Sequence, residues 1–175
     1  NLIYVKGANW IGNSNSRILT RNLRKFLNER LSRNIKIRTT YISDLPVTDP
    51  TNQILLARDY SNEYRLDTKS NIIHYIFPPY LAYNQLYIGG MSYVCGIKKL
   101  HLNTSISNAE MYSSVDGSDR LYKSMIAAAH EIGHMLGASH INSNTLMNYR
   151  VLGIESNNIK IAPKSLKEIK DCLAS

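Results

Sequence analysis

Short apolar runs and stretches of helical periodicity alternate along the first part of the chain. Leu2–Val5 is a continuous apolar run, which predicts a buried strand. Apolar residues then recur at spacings of three and four up to about Arg33 and predict an amphipathic helix with Ser16 as its N-cap. The apolar positions of this helix are Ile18, Leu19, Leu23, Phe26, Leu27 and Leu31. Residues 35–41 alternate in polarity and predict a half-buried strand.

The same criteria predict further elements along the rest of the chain. They are a helix over 54–64, strands over 71–77, 85–95 and 97–102, and helices over 118–136 and 163–173. Two adjacent glycines in the 85–95 strand predict either a bulge or a place where another backbone comes close. His74 and His101 lie in predicted strands without a metal-like partner nearby in sequence, so we interpret both as structural histidines.

Two histidines and a glutamate lie close together on the predicted helix over 118–136. His130 and His134 are four residues apart and are therefore neighbours on the helix surface. This spacing lets both imidazoles bind one zinc ion, while Glu131 stands close enough to act as a base. The five-residue pattern alone also arises by chance in helices whose histidines are merely exposed.

A third histidine makes the prediction more specific. In a continued helix His140 would lie about 15 Å along the axis from His130, too far for both residues to bind one ion. The helix must therefore end between His134 and His140 if His140 is a ligand. Gly137 lies at the required position and can adopt the left-handed conformation that commonly ends helices. Together these features predict a three-histidine zinc site.

Length and charge limit the classes of protein to consider. The 175 residues fit one domain that can bury its core without help from a metal, so the zinc is expected to serve chemistry. The net charge is +8, and eight of the 21 Lys and Arg residues lie between Arg17 and Arg38. We interpret them as a solvated surface and not a nucleic-acid site, and weak binding to anionic glycans or membranes stays open. The start at Asn1 and the lack of a long apolar run predict a processed protein without a membrane span.

The two cysteines leave the redox compartment open. Cys95 and Cys172 are far apart and fit neither a Cys-x-x-Cys motif nor a zinc ribbon. They indicate either one long-range disulfide in an exported protein or two buried thiols in a reducing compartment. The only Asn-x-Ser/Thr sequon begins at Asn103 and is typical of a secreted chain.

The segment 130–140 matches the long zinc signature of the metzincin metallopeptidases, and Met147 lies where that clan places its Met-turn. Residues 87–91, followed by Cys95, resemble the substrate-binding edge strand of the adamalysins, also called reprolysins. Adamalysins join a cysteine just after that strand to one in the C-terminal helix, so the resemblance implies a disulfide between Cys95 and Cys172. It also implies that an extended peptide pairs with Leu86, Tyr87, Ile88, Gly89, Gly90 and Met91.

Two departures from the adamalysin pattern concern the residues after the third histidine. Adamalysins usually carry Asp where this chain has Ile141, and they have more cysteines around the Met-turn. The sequence Met147-Asn148-Tyr149 is more similar to astacins and serralysins, whose tyrosine two residues after the methionine reaches the metal or the reacting carbonyl. Tyr149 is accordingly either a donor to the transition state or a packing residue.

The resemblance also implies a fold. This is an α/β (α+β) metzincin-like domain with a twisted, mostly parallel five-stranded sheet, an antiparallel edge strand and backing helices. Residues 1–137 would form the N-terminal subdomain and residues 138–175 a small C-terminal subdomain, with the cleft between them. Val151 and Leu152 would wall the specificity pocket behind the zinc helix.

The predicted function is that of a secreted, monomeric zinc endopeptidase acting on protein or peptide substrates. Zn²⁺ would be held by His130, His134 and His140, with a fourth position left for water and Glu131 as general base. One alternative is a binding protein on a peptidase scaffold that acts through its basic surface, and another is a cytosolic peptidase with free thiols. Glu131 favours an enzyme, because a chain relieved of catalysis has no need for a carboxylate beside the metal.

Overall fold

The computed structural model describes residues 1–7, 10–43, 45, 50–66, 71–78, 90–99, 102–108, 117–148, 151 and 159–175. The strands are β1 (Leu2–Val5), β2 (Thr39–Ile42), β3 (Ile73–Phe77), β4 (Gly90–Met91) and β5 (Thr104–Asn108). The helices are α1 (Gly12–Leu31), α2 (Pro50–Glu63), α3 (Gly117–Met135) and α4 (Pro163–Ala174), with a 3₁₀ helix over Gly96–Lys98. No helix within these ranges is both long and apolar enough to cross a membrane.

The five strands form one sheet in the order β2-β1-β3-β5-β4. β1 pairs in parallel with β2 and β3, and β3 pairs in parallel with β5. β4 is antiparallel to β5, with Gly90 opposite Ser107 and Met91 opposite Ile106. The architecture is therefore the predicted α/β fold, in which a mostly parallel sheet has an antiparallel edge strand.

Both faces of β1 are buried, which explains its continuous apolar sequence. Leu2 and Tyr4 belong to a core cluster formed with α1 and α3, whereas Ile3 and Val5 belong to a second cluster formed with α2. The sheet is thus covered by α1 and α3 on one face and by α2 on the other. The predicted helices over 118–136 and 163–173 agree with α3 and α4 to within one residue at each end.

The prediction of a strand over 97–102 is wrong. Residues 96–98 form the 3₁₀ helix, after a left-handed backbone conformation at Cys95 (φ 56°) that interrupts any extended run. The strand that pairs with β3 is β5, whose sequence Thr-Ser-Ile-Ser-Asn has one apolar side chain although every residue is buried. A search for apolar runs could not find this strand, because its buried side chains are mostly polar.

Other predicted features also differ from the structure, among them the strand predicted over 85–95, which ends at Met91. Ser16 is not an N-cap, because α1 begins at Gly12 and the buried Ser16 hydroxyl hydrogen-bonds the Asn13 carbonyl at 2.9 Å from inside the helix. β2 begins at Thr39 and not at residue 35. Alternation of polarity alone did not show where backbone pairing with β1 starts.

His74 is a structural histidine, as predicted, and β5 satisfies both of its ring nitrogens. Its Nδ1 lies 2.8 Å from the Ser105 hydroxyl and its Nε2 2.9 Å from the Ser107 hydroxyl. Burial lowers the pKa of His74 to about 3, so the ring is neutral in the folded protein at neutral pH. The two serine hydroxyls can rotate to serve a neutral ring that donates from one nitrogen and accepts at the other.

Acid is expected to destabilise the fold through His74. The unfolded chain binds a proton at this ring near pH 6.5 and the folded chain only near pH 3, so stability falls as the pH drops below 6.5. The contribution between pH 7 and pH 4.5 is about 2 to 3 kcal/mol. In urea titrations of metal-free protein, the stability difference between wild type and His74→Gln should shrink by this amount. A difference that stays constant with pH would contradict the assignment.

Candidate active site

Three histidines from two segments meet at one point. His130 and His134 lie one turn apart near the end of α3, and His140 follows the helix. The three Nε2 atoms form an equilateral triangle with sides of 3.1 Å. No other group of three or more His, Cys, Asp or Glu side chains within the described ranges is arranged to hold a metal ion.

The geometry and chemistry of the three donors fit zinc. Zn–N distances of 2.0–2.1 Å in a tetrahedral site place donor atoms about 3.3 Å apart, close to the observed separation. His130 Nδ1 donates to the Leu146 carbonyl at 2.6 Å and His134 Nδ1 to the Ala138 carbonyl at 2.7 Å. These bonds leave the Nε2 lone pairs directed at the common point. Burial lowers the pKa of His130 to about 4 and also lowers that of His134, which keeps both ligands neutral.

The chain turns sharply at the end of α3, and this turn brings His140 close to the other two ligands. Gly137 has φ +114°, which a side chain would make unfavourable. Its N–H donates to the His134 carbonyl at 2.8 Å, and the Ala138 N–H donates to the Gly133 carbonyl at 3.0 Å. This pair of bonds is the Schellman motif, which ends helices at a left-handed glycine. The helix stop that the sequence predicts at Gly137 is thus confirmed.

Glu131 directly follows the first histidine on α3, and its carboxylate lies against the edge strand. It is 7% exposed, and its Oε2 accepts a hydrogen bond of 2.7 Å from the Ser92 hydroxyl. Burial raises the pKa of Glu131 to about 7, while the Ser92 bond acts in the opposite direction. A Cβ atom on Gly90 would lie 2.6 Å from Glu131 Cγ and 2.6 Å from the Ile106 carbonyl oxygen. Gly90 therefore lets β4 pass close to both the carboxylate and β5.

Met147 is packed in the core against α3. It is fully buried, and a Cβ atom on Gly133 would lie 2.6 Å from its sulfur, so the glycine makes room for it. Its carbonyl accepts a 3.0 Å bond from the Ile141 N–H, which joins the Met147 turn to the segment carrying His140. Val151, a predicted wall of the specificity pocket, is buried in the same core cluster as Met147.

The structure contains the disulfide that the resemblance implies. Cys95 and Cys172 are bonded, with their Cα atoms 5.9 Å apart, and the alternative of two free thiols is excluded. The Cys95 N–H donates to the His134 carbonyl at 2.9 Å, and a Cβ atom on Gly137 would lie 2.5 Å from Cys172 Cβ. The bridge thus lies against the end of α3, next to the metal ligands.

Several predicted site residues lie outside the described ranges. They are Leu86, Tyr87, Ile88 and Gly89 of the edge strand, Tyr149 after the Met147 turn, and Leu152 of the specificity pocket; the histidine at 101 also lies there. Two residues that the sequence does not predict also support the site: Ser92 contacts Glu131, and Glu168 contacts Ser139. No local pattern marks either residue, because both contacts join parts of the chain that are distant in sequence.

Known structures share this arrangement of helices and strands. Archaemetzincin from Methanopyrus kandleri is 16% identical, with a TM-score of 0.64 over 99% of this chain and 95% of that one. Metalloproteinase-II from Bacteroides fragilis is 15% identical, with a TM-score of 0.60 over 98% of this chain and 51% of that one. OgpA from Akkermansia muciniphila is 13% identical, with a TM-score of 0.57 over 95% of this chain and 58% of that one. At these identities the likeness is one of fold, and this chain spans little more than half of the last two proteins.

Sequence comparison gives the family. No curated protein matches the chain. Residues 16–161, most of the chain and the whole of the three-histidine site, match the model of the reprolysin-like metallopeptidases of family M12B. The protein is therefore a metzincin-like zinc metallopeptidase and belongs to the reprolysin-like family M12B.

Proposed function

We propose that the protein is a secreted zinc endopeptidase in which Glu131 is the general base. The observation that carries this proposal is a buried carboxylate on the helix that carries two of three convergent imidazoles. Three protein ligands leave a fourth position for water or substrate, which is typical of catalytic zinc sites. The glutamate follows the first ligand directly on α3, as a peptidase base does in this motif.

Bound zinc would supply a Lewis acid that polarises the scissile carbonyl and lowers the pKa of water. Glu131 would accept a proton from the attacking water and transfer it to the leaving amine. Ser92 would hold one oxygen of this carboxylate, which leaves the other free for proton transfer. Burial of Glu131 favours the protonated carboxyl, and the positive charge of the metal favours the carboxylate, so both states are accessible during a cycle.

An extended substrate would pair with β4. This strand ends the sheet in the described part of the chain, and Gly90 and Met91 are both half-buried. A peptide added along an exposed strand edge gains backbone hydrogen bonds without a requirement for particular side chains. The nearness of Gly90 to Glu131 would place a peptide bound there beside the general base.

Secretion is supported by the disulfide, because such bonds persist in oxidising compartments. The Asn103 sequon does not add to this support. Asn103 is 8% exposed and its amide donates to the Asn71 carbonyl at 3.4 Å, so the nitrogen that would carry a glycan is engaged within the fold. The basic side chains of α1 that the sequence predicts to be outward are exposed, so an anionic surface would have access to Arg17, Arg21, Arg24 and Lys25.

The proposal is tested by metal content and peptide cleavage. Purified protein should contain one zinc per chain, and it should cleave members of a mixed peptide library. The library should include O-glycopeptides, because the similarly folded OgpA is known with an O-glycopeptide substrate. A chelator should remove the cleavage activity and one equivalent of Zn²⁺ should restore it. One zinc per chain without any cleavage would favour the alternative of a binding protein, and cleavage that survives removal of the metal would refute the mechanism.

A further inference from the structure

His140 is held differently from the other two ligands. His130 and His134 are buried on a helix and each has a carbonyl acceptor for Nδ1. His140 is exposed, lies after the helix, and finds no such acceptor among the residues that the structure describes. Within the described residues, the backbone on either side of His140 is therefore what holds it in the triangle of Nε2 atoms.

That backbone is anchored on both sides of His140. On the far side, the Ile141 N–H donates to the Met147 carbonyl at 3.0 Å. On the near side, both polar groups of Ser139 donate to the carboxylate of Glu168 on α4. The Ser139 N–H lies 2.9 Å from Oε2 and the Ser139 hydroxyl 2.8 Å from Oε1. Hydrogen bonds to an ionised acceptor are about twice as strong as neutral ones, and the paired contact also fixes direction.

α4 is itself fixed against the turn that precedes Ser139. A Cβ atom on Gly137 would lie 2.5 Å from Cys172 Cβ and 3.0 Å from the Glu168 carbonyl oxygen. The Glu168 side chain is 25% exposed and its Oε1 lies 3.8 Å from Lys164 Nζ. The Glu168 carboxylate, on a helix that is packed against Gly137, thus holds Ser139, the residue before His140.

We propose that Glu168 is a positioning residue for the metal centre, which sets the affinity for zinc by holding Ser139 and thereby His140. The inference rests on the proposed zinc site. Glutamine keeps the length of Glu168 but not its charge, and the Ser139 hydroxyl would have to turn and accept from the new amide, so both contacts become weaker neutral hydrogen bonds. Loss of the anchor leaves the three histidines intact but lets the third one move away from the other two.

The test compares Glu168→Gln with Asp171→Asn on the same helix. Asp171 is 67% exposed and faces Lys167 at 3.9 Å, so each variant removes one carboxylate and one ion pair of the i,i+4 type. The measurement is the dissociation constant for Zn²⁺, by competition with a chromogenic chelator, and the melting temperature of the metal-free protein. Removing outer groups that orient metal ligands typically costs 10–100-fold in affinity, and we expect about 10-fold for Glu168→Gln and less than 2-fold for Asp171→Asn.

Ser139→Ala provides a second variant that removes the hydroxyl donor but keeps the backbone N–H. We expect it to weaken zinc binding by a smaller factor than Glu168→Gln, and the double variant to be no weaker than Glu168→Gln alone. Metal-free melting temperatures close to wild type would show that the loss is not one of folding. Equal zinc affinity in Glu168→Gln and Asp171→Asn would overturn the inference, as would unchanged affinity in Ser139→Ala if Glu168→Gln does not fold. Failure of the wild type to bind zinc would instead refute the proposed function.

Discussion

Glu131→Gln is expected to remain folded and metal-loaded while its peptidase activity falls by 10²–10⁴-fold, the usual contribution of a general base. The amide has nearly the same shape as the carboxylate, so its oxygen can still accept the 2.7 Å bond from Ser92 and fill the space beside Gly90. It cannot accept a proton from water at any relevant pH. The loss should therefore appear in kcat, with KM nearly unchanged, since the interaction is made during the reaction.

The matched control is Glu29→Gln on α1, which removes the same charge from an exposed side chain paired with Lys25. Both variants and the wild type should be assayed on the same cleaved peptide after the zinc content of each sample has been measured. Turnover of Glu131→Gln within a few-fold of the control, at full zinc content, would show that another group takes the proton. A variant that has lost its zinc would not test the base and should be reloaded before the assay.

The sequence predicts those features that depend on nearby residues. The zinc ligands on α3 follow from an i,i+4 spacing on a helix, and the helix stop follows from a glycine with no Cβ penalty at positive φ. The apolar runs predict β1 and β3 because strands that are buried on both faces carry mostly apolar side chains. Helix spacing, helix termination and strand burial each depend on residues that are close in sequence, so the sequence shows them directly.

Other features depend on contacts between distant parts of the chain, and the local sequence does not predict them. β5 was missed because Ser105 and Ser107 are buried to satisfy His74, which lies 31 and 33 residues earlier. Ser92 lies 39 residues before Glu131, and Ser139 lies 29 residues before Glu168. Glu168 also forms an i,i+4 pair with Lys164, so in the sequence it cannot be told from an ordinary surface residue. The residues that hold the site in place thus depend on tertiary packing, whereas the positions of the zinc ligands follow from local helix geometry.

Removal of the disulfide is expected to lower the free energy of unfolding by about 4 kcal/mol, from the closure of a loop this long in the unfolded chain. Cys95 and Cys172 are 77 residues apart and their bond encloses β5, α3 and all three histidines. The loss would be large for a domain of this size, because net stabilities are typically 5–15 kcal/mol. The bridge also fixes α4 against Gly137, so its removal should loosen the support of the third histidine.

The measurement is urea unfolding of the Cys95→Ala/Cys172→Ala variant against the wild type, both without metal because bound zinc would add its own stabilisation. Wild type that has been reduced and alkylated in urea gives a second comparison, in which the loop is also open but both cysteine residues are retained. We expect the alkylated protein to lose at least as much stability as the double variant, because its adduct on the buried Cys172 must fit beside Gly137, and we expect the double variant to be insensitive to reductant. A loss below about 1 kcal/mol in the double variant would mean that strain or structure in the unfolded chain offsets the closure entropy. Two alkylatable thiols in native, unreduced wild type would show that the bond does not form.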